Sequence, residues 1–130
     1  MDSIYERLGG DPGVRRLVDR FYDRMDERPD AATIRAMHPD DLTGSRDHLH
    51  LFLVMWTGGP RTYMEQRGHP MMRARHLPFP IDEAARDAWL ACMDDALQAT
   101  VDDATLRADL FGAFARMADH MRNQTPPVGR

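Results

Sequence analysis

Six histidines carry the most versatile chemistry in this chain: His38, His48, His50, His69, His76 and His120. A neutral imidazole ligates metals and changes charge near neutral pH, so their spacing is informative. No pair forms an HExxH pattern, and His48 and His50, two residues apart, point in different directions on a helix. Spacing alone therefore gives a zinc site little support, and the lone Cys92 excludes a thiolate one. His76 stands apart from the others. It ends a short turn within a long connecting segment, between Arg75 and Leu77, with Phe79 and Ile81 just beyond. An imidazole in such an apolar setting is most often a hydrogen-bonded core residue, with metal ligation as the alternative.

Composition narrows what these residues could serve. The 130 residues fit one domain of about 100–200 residues. With 42% hydrophobic residues the chain has the makings of an ordinary globular core rather than of a disordered or fibrous protein. The basic residues number 17, all Arg, against 21 acidic ones, giving a net charge of −4. No chain-wide field attracts polyanions, which argues against nucleic acid as a partner. No apolar run approaches the ~20 residues that span a bilayer, and Met1 to Gly10 lacks the pattern of a secretory signal. A cytoplasmic protein is the expectation.

The elements that must position His76 are helical, since the apolar residues recur with a period near 3.6. A short helix after Ser3 is expected to end at Gly9-Gly10. Asp11 reads as the cap of the next helix, with Pro12 in its first position and an apolar stripe of Val14, Leu17, Val18, Phe21, Tyr22 and Met25. Its charged residues Arg15, Arg16, Asp19, Arg20, Asp23 and Arg24 form a solvated face. Thr33 to Met37 makes one or two turns before His38-Pro39. Thr43 reads as the cap of a helix with stripe Leu49, Phe52, Leu53 and Trp56, closed by Gly58-Gly59-Pro60. From Arg61 to Pro80 the breakers Gly68, Pro70, Pro78 and Pro80 predict a structured loop with a single turn at Met71 to Arg75. Loops of such length are usually functional. Asp82 then caps a helix bearing Ala85, Trp89, Cys92, Met93, Ala96 and Leu97. A final helix from about Asp103 bears Leu106, Leu110, Phe114, Met117, Ala118 and Met121. One domain over 1–124 and a frayed tail over 125–130 follow.

Several segments resemble the group II truncated haemoglobins. They are Gly58-Gly59-Pro60-Arg61-Thr62-Tyr63, the run from Gly68 through His76 to Phe79, and Arg86 to Met93, preceded by Leu8-Gly9-Gly10 and Phe21-Tyr22. The resemblance runs from about Tyr5 to Leu97; the last helix shares only the apolar pattern. It implies an all-α, two-over-two truncated globin fold around haem b, with His76 as the proximal iron ligand. Phe52, Trp56, Tyr63, Met72, Phe79, Ile81 and Met93 become candidates for the slot around the macrocycle, although each is equally consistent with plain core. Arg73 or Arg75 would pair with a propionate through the planar guanidinium fork.

On the distal side the same resemblance places Tyr22 and Trp89 against bound ligand, with Ser45 and Leu49 facing it from the Thr43 helix. His38 departs from the pattern, since many relatives place Tyr or Phe there. It is either a surface loop residue or a second, pH-dependent distal group. The implied function is binding of dioxygen or other small diatomic gases, with nitric oxide oxidation or peroxidase-like turnover as possible chemistry. No reductase segment is visible, so a separate electron donor is expected, and the chain acts as monomer or homodimer. The rival functions are a gas or redox sensor and a cofactor-free helical interaction module.

Overall fold

The computed structural model describes residues 2–124, and among them the regular elements are all helical. The frayed tail expected over 125–130 lies outside the described residues. Eight α-helices follow in order: α1 (Ile4–Arg7), α2 (Gly10–Glu27), α3 (Ala32–Ala36), α4 (Thr43–Trp56), α5 (Thr62–Arg67), α6 (Met72–His76), α7 (Glu83–Thr100) and α8 (Ala104–His120). A 3-10 turn, Pro29–Ala31, leads into α3. The long helices form two layers. α2 with α4 packs on α7 with α8, and the most extensive contact is between α2 and α7.

The apolar stripes drive this packing. On α2 all of Val14, Leu17, Val18, Phe21, Tyr22 and Met25 are buried, and α7 and α8 meet them with Cys92, Met93, Ala96, Leu97, Leu110 and Phe114. Removing one such aromatic, as in Phe21→Ala, would cost about 3–5 kcal/mol through lost transfer energy and a cavity. Arg24 and Arg28 both donate to Asp95 Oδ2, at 3.0 and 2.8 Å, and so tie the end of α2 to α7.

Three local expectations are corrected. α2 begins at Gly10 with Gly9, not Asp11, at its cap position; Gly9 holds φ 100°, the left-handed region that glycine adopts without penalty. The chain must turn there because Gly13, one turn on, packs so tightly that a Cβ would sit 1.7 Å from the Leu8 carbonyl oxygen. Thr43 does not cap α4 either; it is the first helical residue, and its N–H donates to the Asp41 carboxylate at 2.9 Å. The segment from Arg61 to Pro80 is not one loop around a single turn. Thr62–Arg67 is a helix, closed by Gly68 at φ 75°, and α6 follows after the bend at His69-Pro70.

Asp82 caps α7 as expected, accepting from the Ala85 N–H, and Asp103, read only as the approximate start of the final helix, caps α8 by accepting from the Thr105 and Leu106 N–H groups. The caps fix where α7 begins relative to the His76 segment just before it.

Candidate functional site around His76

His76 closes α6, a helix of five residues. Its Nδ1 lies 2.6 Å from the Met72 carbonyl oxygen. A carbonyl only accepts, so Nδ1 carries the proton and the Nε2 lone pair is left free. This is the arrangement a metal-ligating imidazole needs, with its tautomer and ring plane fixed through the other nitrogen.

The chain around His76 is held from the far end of the fold. Asn123 donates from Nδ2 to the carbonyls of His76 and Phe79, at 3.2 and 2.8 Å, and accepts the Ile81 N–H at 2.9 Å. Arg73 donates to the carbonyls of His120 and Arg122 at 2.6 and 2.9 Å, capping the end of α8. Arg75 donates from Nε to the Pro70 carbonyl at 2.7 Å.

A second set of groups comes from α2, α3, α4 and α7. Tyr22 is 6% exposed, and burial pushes its phenol up to about 12, opposed by the positive charge of Arg46. Its hydroxyl has no hydrogen-bond partner among the described residues, and neither has the indole N–H of Trp89, whose ring lies against Phe21 and Phe114 at 5.0 and 5.8 Å. Neither atom is among the buried polar atoms left without a partner, so both donors stay reachable, which suits an acceptor from outside the protein.

His38 follows Met37, just beyond α3. Its Nδ1 donates to the Ile34 carbonyl at 2.8 Å, again one helical turn back, and its ring meets Tyr22 edge-on at 5.8 Å. It is half-buried. Burial lowers its pKa, the Ile34 carbonyl resists that, and the charges of Arg35 and His76 lower it further. Ser45 and Leu49 are half-buried on α4.

A polar corner is built by His48, Tyr63 and Arg67. Arg67 Nη1 lies 2.7 Å from His48 Nδ1, and His48 Nε2 lies 3.1 Å from the Tyr63 hydroxyl. A guanidinium has no lone pair to accept with, so His48 Nδ1 accepts and Nε2 carries the proton. Burial lowers the His48 pKa first, followed by the charges of Arg67, Arg75 and His76.

The apolar candidates divide. Phe52, Tyr63 and Met93 are buried, with Phe52 edge-on to Tyr63 at 5.9 Å. Met72 and Ile81 are half-buried and flank the His76 segment, while Phe79 is 40% exposed. Trp56 packs on Phe114 at 4.9 Å, a core contact.

Sequence reasoning missed His48, Arg67 and Asn123. Tyr63 and Arg67 are four apart and share a helix face, a signal that was available only if Thr62–Arg67 is read as helix. Asn123 follows the last helix and gives no local signal at all.

These residues fit an iron porphyrin. A fixed imidazole with a free Nε2 suits the iron, half-buried and exposed apolar side chains suit the macrocycle, and a corner of cations and donors suits its edge carboxylates.

Comparison with known proteins agrees. The chain matches the family described as Bacterial-like globin over residues 3–123. It is 43% identical over 129 residues to the group 2 truncated haemoglobin YjbI of Bacillus subtilis, covering 99% of this chain and 95% of that protein. The group II 2-on-2 haemoglobin of Agrobacterium tumefaciens superimposes with a TM-score of 0.93 at 45% identity, covering 96% of this chain and 97% of that one. A structure described as truncated oxygen-avid haemoglobin from Bacillus subtilis gives 0.85 at 41% identity, covering 94% and 100%. The all-helical two-layer architecture is that of the two-on-two globins, whose family character is haem-based binding of small ligands, and the chain belongs to the bacterial-like globins, in their group II truncated branch.

Proposed function

We propose that the protein binds haem b through His76 Nε2 and holds dioxygen, or another small diatomic ligand, on the side of Tyr22 and Trp89. The observation that carries this is the His76 ring, with Nδ1 spent on the Met72 carbonyl and Nε2 free. Haem, when bound there, would supply the iron to which a gas can bind. The oxygen avidity named for the Bacillus subtilis relative supports dioxygen as the ligand.

The remaining steps belong to the chain's own side chains. Phe52, Tyr63, Met72, Phe79, Ile81 and Met93 exclude water around the macrocycle, and Trp56 backs them through Phe114. Arg75, rather than Arg73, serves a propionate, because the Arg73 guanidinium already holds the carbonyls of His120 and Arg122. Tyr22 and Trp89 donate hydrogen bonds to the ligand. His38, kept neutral by its burial, offers its Nε2 beside the Tyr22 ring. Ser45 and Leu49 close the pocket from α4. Oxidation of nitric oxide and peroxidase-like turnover are the reactions such a site supports, in the cytoplasm, as monomer or homodimer, with a separate donor returning ferric iron to ferrous.

The test is the absorption spectrum of the ferric, ferrous and carbonyl forms. The purified protein should show a Soret band, and His76→Gly should lose haem or keep it only with added imidazole. A variant with an unchanged ferrous-carbonyl spectrum in the absence of imidazole would remove His76 as the ligand.

A further inference from the structure

Three groups border the Tyr22 ring. Phe21, its neighbour on α2, meets it edge-on at 4.9 Å, and His38 meets it edge-on at 5.8 Å. The third is Arg46 of α4, whose guanidinium carbon lies over the ring, 5.7 Å from its centroid. A cation within about 6 Å of an aromatic centroid is attracted to the face of the ring.

Arg46 is held over the ring by α2 itself. Its Nη1 donates to the carbonyl and the carboxylate of Asp19 at 3.0 and 3.1 Å, and its Nη2 donates to the Asp23 carboxylate at 3.0 Å. Asp19 and Asp23 stand about one helical turn apart and flank Tyr22 in sequence. The planar fork therefore spans the turn that carries Tyr22, and a guanidinium gripped at both nitrogens has little freedom to leave the ring. The Arg46 side chain is 21% exposed, so water and salt screen its charge less than at an open surface. Burial raises the pKa of the Tyr22 phenol, and the Arg46 charge lowers it. A nearby cation favours the ionised form of a phenol, and the same polarisation makes the O–H a stronger donor.

We propose that Arg46 is a positioning residue for bound gas: it fixes the plane of the Tyr22 ring and strengthens the Tyr22 hydroxyl as a hydrogen-bond donor. This rests on Tyr22 being the residue that donates to the ligand, and Arg46 acts through that phenol. Arg15 supplies the control. It bridges the same two helices, from α2 to Asp47 of α4 at 2.8 Å, and shares Asp19 at 3.5 Å. Among the described residues no hydrogen bond or ring contact joins it to Tyr22.

The test is a double-mutant cycle on the ferrous holoprotein. Dioxygen release is followed by stopped flow in the wild type, in Arg46→Met, in Tyr22→Phe and in the protein carrying both changes. Arg46→Met should speed release about three- to tenfold when Tyr22 is present, and by less than about twofold when it is Phe. Arg46→Lys, which keeps the cation and loses the fork, should fall between wild type and Arg46→Met, and it carries the same comparison if the Met variant fails to bind haem. Arg15→Met should stay within about twofold of wild type. The infrared C–O stretch of the carbonyl form reads the same coupling without kinetics, because a donor beside the bound gas lowers its frequency. Arg46→Met should raise that frequency when Tyr22 is present and leave it nearly unmoved in Tyr22→Phe. A merely structural ion pair would lower the unfolding midpoint in Arg46→Met and Arg15→Met alike and would not move the stretch. Equal acceleration by Arg46→Met in both backgrounds, or a stretch indifferent to it, would overturn the role of Arg46 while leaving Tyr22 as the donor. Tyr22→Phe without effect on either readout would remove Tyr22 as the donor and this role of Arg46 with it.

Discussion

Asn123 donates its side-chain amide to the carbonyl of His76 across 47 positions of sequence, at 3.2 Å. With its further bonds to Phe79 and Ile81, one side chain fixes the exit of the chain from the imidazole-bearing helix. Asn123→Leu keeps the bulk and removes every one of these bonds. Leaving such groups unmet costs about 1–3 kcal/mol where they are buried and less where water reaches them. We expect a lower unfolding midpoint and faster haem loss to apomyoglobin. Unchanged haem loss would show that Arg73 alone suffices to hold the segment.

Tyr22 and Trp89 present donors without a protein partner, so their removal is read at the ligand. A hydrogen bond to a group with ionic character contributes about 1.5–3 kcal/mol. Tyr22→Phe and Trp89→Phe should therefore each speed dioxygen release about ten- to a hundred-fold. Carbon monoxide is the weaker acceptor and should respond less. Stopped-flow measurement of both gases separates hydrogen bonding from pocket shape, because a packing defect would accelerate both equally.

His38 and His48 both have pKa values lowered from the ordinary imidazole value, chiefly by burial. As pH falls through about 6.5 the unfolded chain takes up protons that the fold refuses at these sites. Stability should therefore decline from pH 7 to pH 5 at these two sites, and His38→Phe should flatten the decline. In ligand kinetics the His38 titration should appear below about pH 6.5 and vanish in the same variant. A midpoint independent of pH across this range, with carboxylates still ionised, would contradict both assignments.

Gly13 offers a test of packing against propensity. Helix preference favours Ala over Gly by about 1 kcal/mol. Against that, the added Cβ would lie 1.7 Å from the Leu8 carbonyl oxygen, a backbone atom that cannot swing aside. Gly13→Ala should lose about 1–3 kcal/mol through the shift it forces, measured by urea unfolding.

The periodic helices were legible because burial dictates their stripes: each apolar position read on α2 is buried, and Asp82 and Asp103 cap as their types suggest. α5 was hidden by the breakers that flank it; within the helix, Thr62 to Arg67 contains neither Gly nor Pro, and six residues are too few for a period to emerge. His76, Tyr22 and Trp89 were visible through resemblance, since their residue types suit core equally well. The polar corner and the Asn123 clamp are products of tertiary contact. His48 meets Arg67 over 19 positions and Asn123 meets Phe79 over 44, and spacing rules reach only about one helical turn.

The corner of Arg67, His48 and Tyr63 has a direction. Arg67 can only donate a hydrogen bond, His48 accepts it at Nδ1 and donates another from Nε2, and the Tyr63 oxygen accepts that one. The order of donors and acceptors cannot be reversed, because its first member has nothing to accept with. The Tyr63 hydroxyl hydrogen is thereby left free to donate elsewhere. One arginine thus sets the polarity of a three-residue wire, and Arg67→Gln, whose side-chain oxygen can accept, would allow that polarity to reverse.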